Sequence, residues 1–312
     1  MSPAEPKIGV VIPTYNRAPL LRRALDSVLA QTVQPERIVV VDDGSTDDSA
    51  GVVARAAEHA VGGPEIIFLH GPHENRRGIA RNRGAAAAGT PFIAFLDSDD
   101  LWKPRRLERQ LSAWRSAPQA MFAFCNVQYF ADDGLVGVPC LPPGRDFNGY
   151  ILGDMLEEPR AVSSTLVVRR EAFEAVGGFR DMRMNEDYEL SLRLAARYRA
   201  SYVPEVLVLM REHQGRTSRQ GGELPLLDSV ALIDRFLRER PHLPRKVRNK
   251  GTSTLANMHY KLAQMYTERG DARLARSHLG KSLRLRPWSR RALASFLRLR
   301  EWRFAEGNGP KI

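Results

Sequence analysis

The sequence has little of several things that would settle its class at once. Only two cysteines, Cys125 and Cys140, occur in 312 residues. They have no CxxC spacing, so reduced thiols are expected rather than a disulfide framework. No uninterrupted apolar run approaches the roughly 20 residues needed to span a bilayer. The start, Met1 to Lys7, is short and polar, and the protein is expected in the cytoplasm, free or peripheral on the inner face of the membrane. No G-x-G-x-x-G follows the first apolar run and no G-x-x-x-x-G-K-[ST] occurs. Dinucleotide and P-loop modes of phosphate binding are therefore unsupported, and phosphate charge must be met by metal and side chains.

What is present suffices for a sizeable core: 43% of residues are hydrophobic and 27% charged. Two domains, or one domain with an extension, are expected. The net charge of +11 is unevenly spread. Residues 1–210 carry 24 Lys and Arg against 27 Asp and Glu, whereas residues 211–312 carry 23 against 9. A basic partner site, if any, belongs to the last third. Nucleic acid is not the expected partner, because aromatics are not interleaved in a recognised binding motif and the acidic loops would repel phosphate without metal.

Short apolar runs alternate with helical patterns. Lys7 to Ile12, Arg37 to Val41, Ile66 to Leu69 and Phe92 to Leu96 read as buried strands, with helices after the first and at Gly78 to Ala88. This alternation predicts a mostly parallel sheet covered by helices on both faces. Two strands deliver carboxylates at their C-terminal ends, where open α/β sheets bind ligands. After Val41 come Asp42 and Asp43, and Gly44 arrives too early for an EF-hand. Leu96 is followed by Asp97, Ser98, Asp99 and Asp100. Clustered carboxylates need a cation, an arginine or ample hydrogen bonds. Hard oxygen ligands favour Mg²⁺ or Mn²⁺, while a polar turn capping the next helix is the plainer alternative.

Further along, residues 101–118 read as a polar helix and Met121 to Phe130 as a strand. Ala131 to Arg160 reads as a long loop suited to acceptor contacts. Ser163 to Val168 and Tyr202 to Met210 read as strands, and a helix opens at Asn185-Glu186-Asp187.

Four motifs in order, Pro13-Thr14-Tyr15-Asn16-Arg17, Val41-Asp42-Asp43-Gly44-Ser45-Thr46-Asp47, Gly78-Ile79-Ala80-Arg81-Asn82-Arg83-Gly84 and Leu96-Asp97-Ser98-Asp99-Asp100, resemble the family-2 glycosyltransferases of the GT-A fold. The resemblance covers about residues 7–220. It implies a GT-A domain over 1–222, with a nucleotide-binding half at 7–118 and an acceptor and catalytic half at 119–222. It further implies a metal-dependent, inverting transfer from a nucleotide-sugar donor, UDP-linked by expectation, to a hydroxyl of a glycan or lipid-linked acceptor in surface polysaccharide or glycoconjugate synthesis. Thr14 and Tyr15 would line the nucleoside pocket and Asp42 would meet the base, with Pro13, Asn16 and Asp43 also among the donor-binding residues, Arg81 beside the nucleotide, and Asp97 near the ribose in the Asp97-Ser98-Asp99 DxD motif. Asp99, with Asp97 and His213, would ligate the metal. Asp187 would be the base, with Glu186 the competing candidate. A scaffold that binds nucleotide sugar without turnover is the rival reading.

Beyond Gly222 the pattern becomes helical. Leu262, Ala263, Tyr266, Gly270, Ala275, Leu279 and Pro287 have spacings similar to one tetratricopeptide hairpin. Trp288 to Phe304 forms a basic amphipathic helix that can lie on an anionic membrane or dock on its own protein.

Overall fold

The computed structural model describes residues 7–212 and 222–305, with side chains to 298. They divide into two compact units, one within 1–155 and 159–214, the other within 156–158 and 215–312.

In the first unit, β1 (Ile8–Thr14), α1 (Ala18–Leu29), β2 (Arg37–Asp42), α2 (Ser49–His59), β3 (Glu65–His70), α3 (Arg77–Ala88) and β4 (Phe92–Phe95) alternate. The first four strands pair in parallel, in the order β3-β2-β1-β4. Residues alternate between the two sheet faces, so Val10, Ile12, Ile38 and Val40 pack with Leu21, Leu25 and Val28 of α1. On the other face α3 approaches closely through Gly84. A Cβ there would sit 2.3 Å from a Val11 methyl and 2.9 Å from a Val41 methyl. This small-residue contact holds the Arg81 segment against the C-terminal halves of β1 and β2.

The next elements are β5 (Leu101–Trp102), α4 (Arg106–Ser116), β6 (Ala120–Ala131), β7 (Gly134–Val136), α5 (Leu152–Glu157), β8 (Val167–Arg169), α6 (Arg170–Ala175), α7 (Glu186–Arg197) and β9 (Arg199–Arg211). The sheet continues β4-β8-β6-β9-β5, with β4–β8, β6–β8 and β5–β9 antiparallel and β6–β9 parallel.

Three expectations change. Residues 101–118 are not one helix, because Leu101 and Trp102 pair with Leu209 and Val208 and Pro104 delays the helix to Arg106. Ser163 to Val168 is not a continuous strand: Ser163–Thr165 forms a 3-10 turn. There the Ser164 hydroxyl accepts from the Asp97 amide at 3.1 Å and donates to Asp100 at 2.6 Å. The stretch from Ala131 to Arg160 contains β7 and α5, and Asn126 pins it at Leu141 through two hydrogen bonds of 2.9 Å.

The second unit contains α8 (Glu223–Glu239), α9 (Arg245–Glu268), α10 (Ala272–Leu285) and α11 (Arg290–Ala305). The turn between α9 and α10 uses Gly270 at φ +78°, and Asp271 caps α10 by accepting from the Leu274 amide at 2.9 Å. Leu262, Ala263, Tyr266, Ala275 and Leu279 form the hairpin's core together with Ala292 of α11. Deeper in the hairpin, the Nδ1 atoms of buried His259 and His278 lie 3.0 Å apart. Burial and the His278 charge push His259 down to about 4. Among the described residues, no helix is long and apolar enough to cross a membrane.

Candidate active site

The site lies at the C-terminal ends of β1, β2 and β4. Asp42 ends β2, almost fully buried at 1% exposure. Its carboxylate accepts from the Ser45 hydroxyl in a short bond and from the Ser45 amide at 3.2 Å, with His70 Nδ1 at 2.8 Å. His70 is also its register partner on β3. Opposite Asp42 on β1 stands Thr14, whose buried hydroxyl has no hydrogen-bond partner among the described residues. Pro13 precedes it, paired in register with Val41.

The following loop is latched. The Asn16 amide donates to the Ser45 hydroxyl at 2.8 Å, and Asn16 Oδ1 accepts from the Thr46 amide at 2.7 Å. Asn16 takes φ 49°, a conformation that Asn tolerates better than most residues. Tyr15, 39% exposed, stacks on His73 with centroids 3.8 Å apart and 13° between planes. Asp43 accepts from the amides of Glu74 and Asn75 at 3.0 and 2.9 Å and fixes the loop carrying His73. Asp43 thus supports the wall of the site through backbone amides.

At the end of β4, Asp97, Asp99 and Asp100 offer ligand atoms within 4.8 Å of one another. Asp100 accepts from Ser164 at 2.6 Å and from the Arg211 amide at 3.0 Å, which commits both of its oxygens to the fold. Ser98 is buried between the outer acids. Asp97 and Asp99 each meet an arginine: Arg81 at 2.6 Å and Arg17 at 2.6 Å. Two carboxylates fit a hard divalent cation that completes its shell with phosphate oxygens and water. His213 lies outside the described residues.

Arg81 is 2% exposed and spans two acids, with Nη2 donating to Asp97 at 2.6 Å and Nη1 to Glu186 at 2.8 Å. Burial opposes its charge, but these two carboxylates outweigh burial and hold the guanidinium above its ordinary value. Asn185, at φ 61°, turns the chain into α7. The first two residues of that helix then diverge. Glu186 points into the ion network, while half-buried Asp187 accepts from the Tyr188 amide at 2.8 Å and the Ser163 amide at 3.4 Å. Burial raises the Asp187 carboxyl above the ordinary carboxylate range. The Glu186 and Asp97 charges add to the shift and Arg81 opposes it.

Six residues that touch the site's acids or its aromatic face carried no role in the sequence reading: Arg17, Ser45, His70, His73, Ser164 and Arg211. His70 had a usable signal, since it ends the third strand level with Asp42.

The family model "Glycosyl transferase family 2" matches residues 9–177. The chain belongs to glycosyl transferase family 2. ExoU, a succinoglycan biosynthesis protein of Rhizobium meliloti, is 32% identical over 208 residues, covering 61% of this chain and 57% of ExoU. The chain thus spans little more than half of that relative. WfaP of Escherichia coli, a UDP-Glc:alpha-D-GlcNAc-diphosphoundecaprenol beta-1,3-glucosyltransferase, is 26% identical over 213 residues, covering 68% of this chain and 79% of WfaP. TarS of S. aureus, solved in complex with UDP-GlcNAc, superposes with a TM-score of 0.67 at 17% identity over 89% of this chain and 81% of its own. That likeness carries the fold, a GT-A-like mixed α/β sheet.

Proposed function

We propose that the protein is a metal-dependent, inverting glycosyltransferase that moves a sugar from a nucleoside-diphosphate donor, UDP-linked by preference, to a hydroxyl of a glycan or lipid-linked acceptor in polysaccharide synthesis. One observation carries the reading: Arg81 bridges Asp97 to Glu186, and so joins the β4 carboxylates to the acidic start of α7 in one partly buried network.

The chain's own residues supply the rest. Tyr15 and His73 form a flat aromatic face for the nucleobase. Asp42, met by a hydroxyl, a backbone amide and an imidazole, keeps acceptor capacity for an imide N–H, and the Thr14 hydroxyl, without a hydrogen-bond partner among the described residues, can pair with a nucleoside oxygen. Asp97 and Asp99 hold Mn²⁺ or Mg²⁺, which offsets charge on the departing diphosphate when bound. Asp187 removes the acceptor proton. Its raised pKa brings it closer to the working pH, as general-base catalysis favours. Glu186 is committed to Arg81 and is the poorer base.

A thermal-shift screen of nucleotide sugars with and without Mn²⁺ tests the donor class, because a bound ligand raises Tm by mass action. A shift that needs both metal and a diphosphate is expected. A shift without transfer to any hydroxyl acceptor would favour the non-catalytic scaffold. Contact with an anionic membrane is the remaining part of the reading. It is supported by exposed Trp288, Leu293 and Leu297 beside exposed Arg290, Arg291 and Arg298. Co-sedimentation with phosphatidylglycerol but not phosphatidylcholine vesicles is its expected result.

A further inference from the structure

We propose that Arg17 is the resident counter-ion of Asp99: a divalent cation must displace it, and the displaced guanidinium then turns to the donor's phosphate oxygens. The inference rests on the metal-dependent reading above and adds an order of events, in which the cation binds well only with the diphosphate.

The two arginines of the acidic cluster differ in freedom. Arg81 is 2% exposed on its side chain and spans two carboxylates, so leaving Asp97 would also break its buried pair with Glu186. Arg17 is 39% exposed on its side chain, and Asp99 is its one ion-pair partner among the described residues. Its backbone is nevertheless fixed. The Arg17 carbonyl accepts from the Leu20 and Leu21 amides at 3.0 and 2.8 Å. Asp47 accepts from the next residue's amide, Ala18 N, at 2.7 Å. On the other side, Asn16 is latched to Ser45 and Thr46. A swing of Arg17 therefore needs only side-chain rotation.

Charge supplies the direction. The Arg17 Nη1 sits 2.6 Å from Asp99 Oδ2, an oxygen that a cation would use. A guanidinium and a divalent cation repel each other there, so the cation alone gains little. A diphosphate supplies both a further set of oxygens for the cation and a planar, bidentate partner for the displaced guanidinium.

Mn²⁺ binding followed by electron paramagnetic resonance, with no sugar transfer involved, tests the inference. The full chain, Arg17→Ala, Arg17→Gln and Asp99→Asn are titrated with and without the nucleoside diphosphate (UDP, GDP or dTDP) that gives the largest thermal shift. Circular dichroism confirms that each is folded. Both Arg17 variants should bind Mn²⁺ about tenfold tighter than wild type without nucleotide, and should lose most of the gain that nucleotide brings to wild type. Asp99→Asn should bind weakly throughout. If wild type binds Mn²⁺ with nucleotide but neither Arg17 variant binds it more tightly alone, the counter-ion role is wrong and the metal site stands. If wild type binds no Mn²⁺ even with nucleotide, the metal-dependent reading falls and takes this inference with it.

Discussion

At the end of β2, Asp42 is met by a serine hydroxyl, a backbone amide and an imidazole; at the end of β4, Asp97 and Asp99 are each met by an arginine. Both ends look alike in the sequence, a buried strand running into aspartates. The structure separates them by what solvates the charge. With no Arg or Lys paired to it among the described residues, Asp42 can share a hydrogen bond with an uncharged ring, and a Thr14 hydroxyl without a partner among those residues stands beside it. At the β4 end the partners are guanidinium groups, and by the proposal above Arg17 is the one that a cation displaces. In this account one strand end recognises and the other handles charge.

The largest effect that would break this contrast is on stability. Arg81→Met leaves Glu186, 4% exposed, with only the longer 3.7 Å pair to Arg77 among the described residues. It should cost about 3–5 kcal/mol in urea unfolding, whereas Arg17→Ala should cost about 1 kcal/mol or less. Equal costs would mean that both arginines play the same part. Next, Asp99→Asn should weaken Mn²⁺-dependent donor binding about a hundredfold. Asp42→Asn should weaken it about tenfold and leave the metal dependence unchanged, as loss of one charge-assisted hydrogen bond implies. Calorimetric titration at fixed Mn²⁺ separates the two, and a changed metal requirement in Asp42→Asn would erase the distinction.

The smallest expected effect is on pH. Burial, and then the Glu186 charge, raise the Asp187 carboxyl. The ionised form is the base, so kcat/KM should fall as pH drops through that raised value, above the ordinary carboxylate range of about 4. Glu186→Gln removes one negative neighbour and frees more of Arg81's charge to act on Asp187. Both changes lower the pKa, so the acid limb should move to lower pH by about one unit or less. A shift to higher pH would show that Asp187 is not the titrating base.

Much of the frame was legible because it is written locally. Short continuous apolar runs mark β1, β2 and β4, and clustered aspartates mark where β2 and β4 stop. The Leu101 pairing with Leu209 was not legible, since a two-residue strand has no period to detect. Nor was the turn at Ser163–Thr165, where bonds between Ser164 and the Asp97 loop hold Ser-Ser-Thr out of the strand that Leu166 to Val168 suggests. At the site, the acids were legible by type but their partners were not. Arg81 and Glu186 are 105 positions apart, and nothing in either local pattern announces the other. That one pairing gives Arg81 the support of two carboxylates, and it separates Glu186 from Asp187 although they are adjacent in sequence.

The most direct measurement compares donor binding and sugar transfer in Asp187→Asn. The variant keeps the size of the side chain, and one of its two backbone-amide bonds, from Tyr188 or from Ser163, can persist on the amide oxygen. Wild-type donor affinity with transfer reduced about a hundredfold or more is the predicted result. Transfer at the wild-type rate would contradict the assignment of Asp187 as the base.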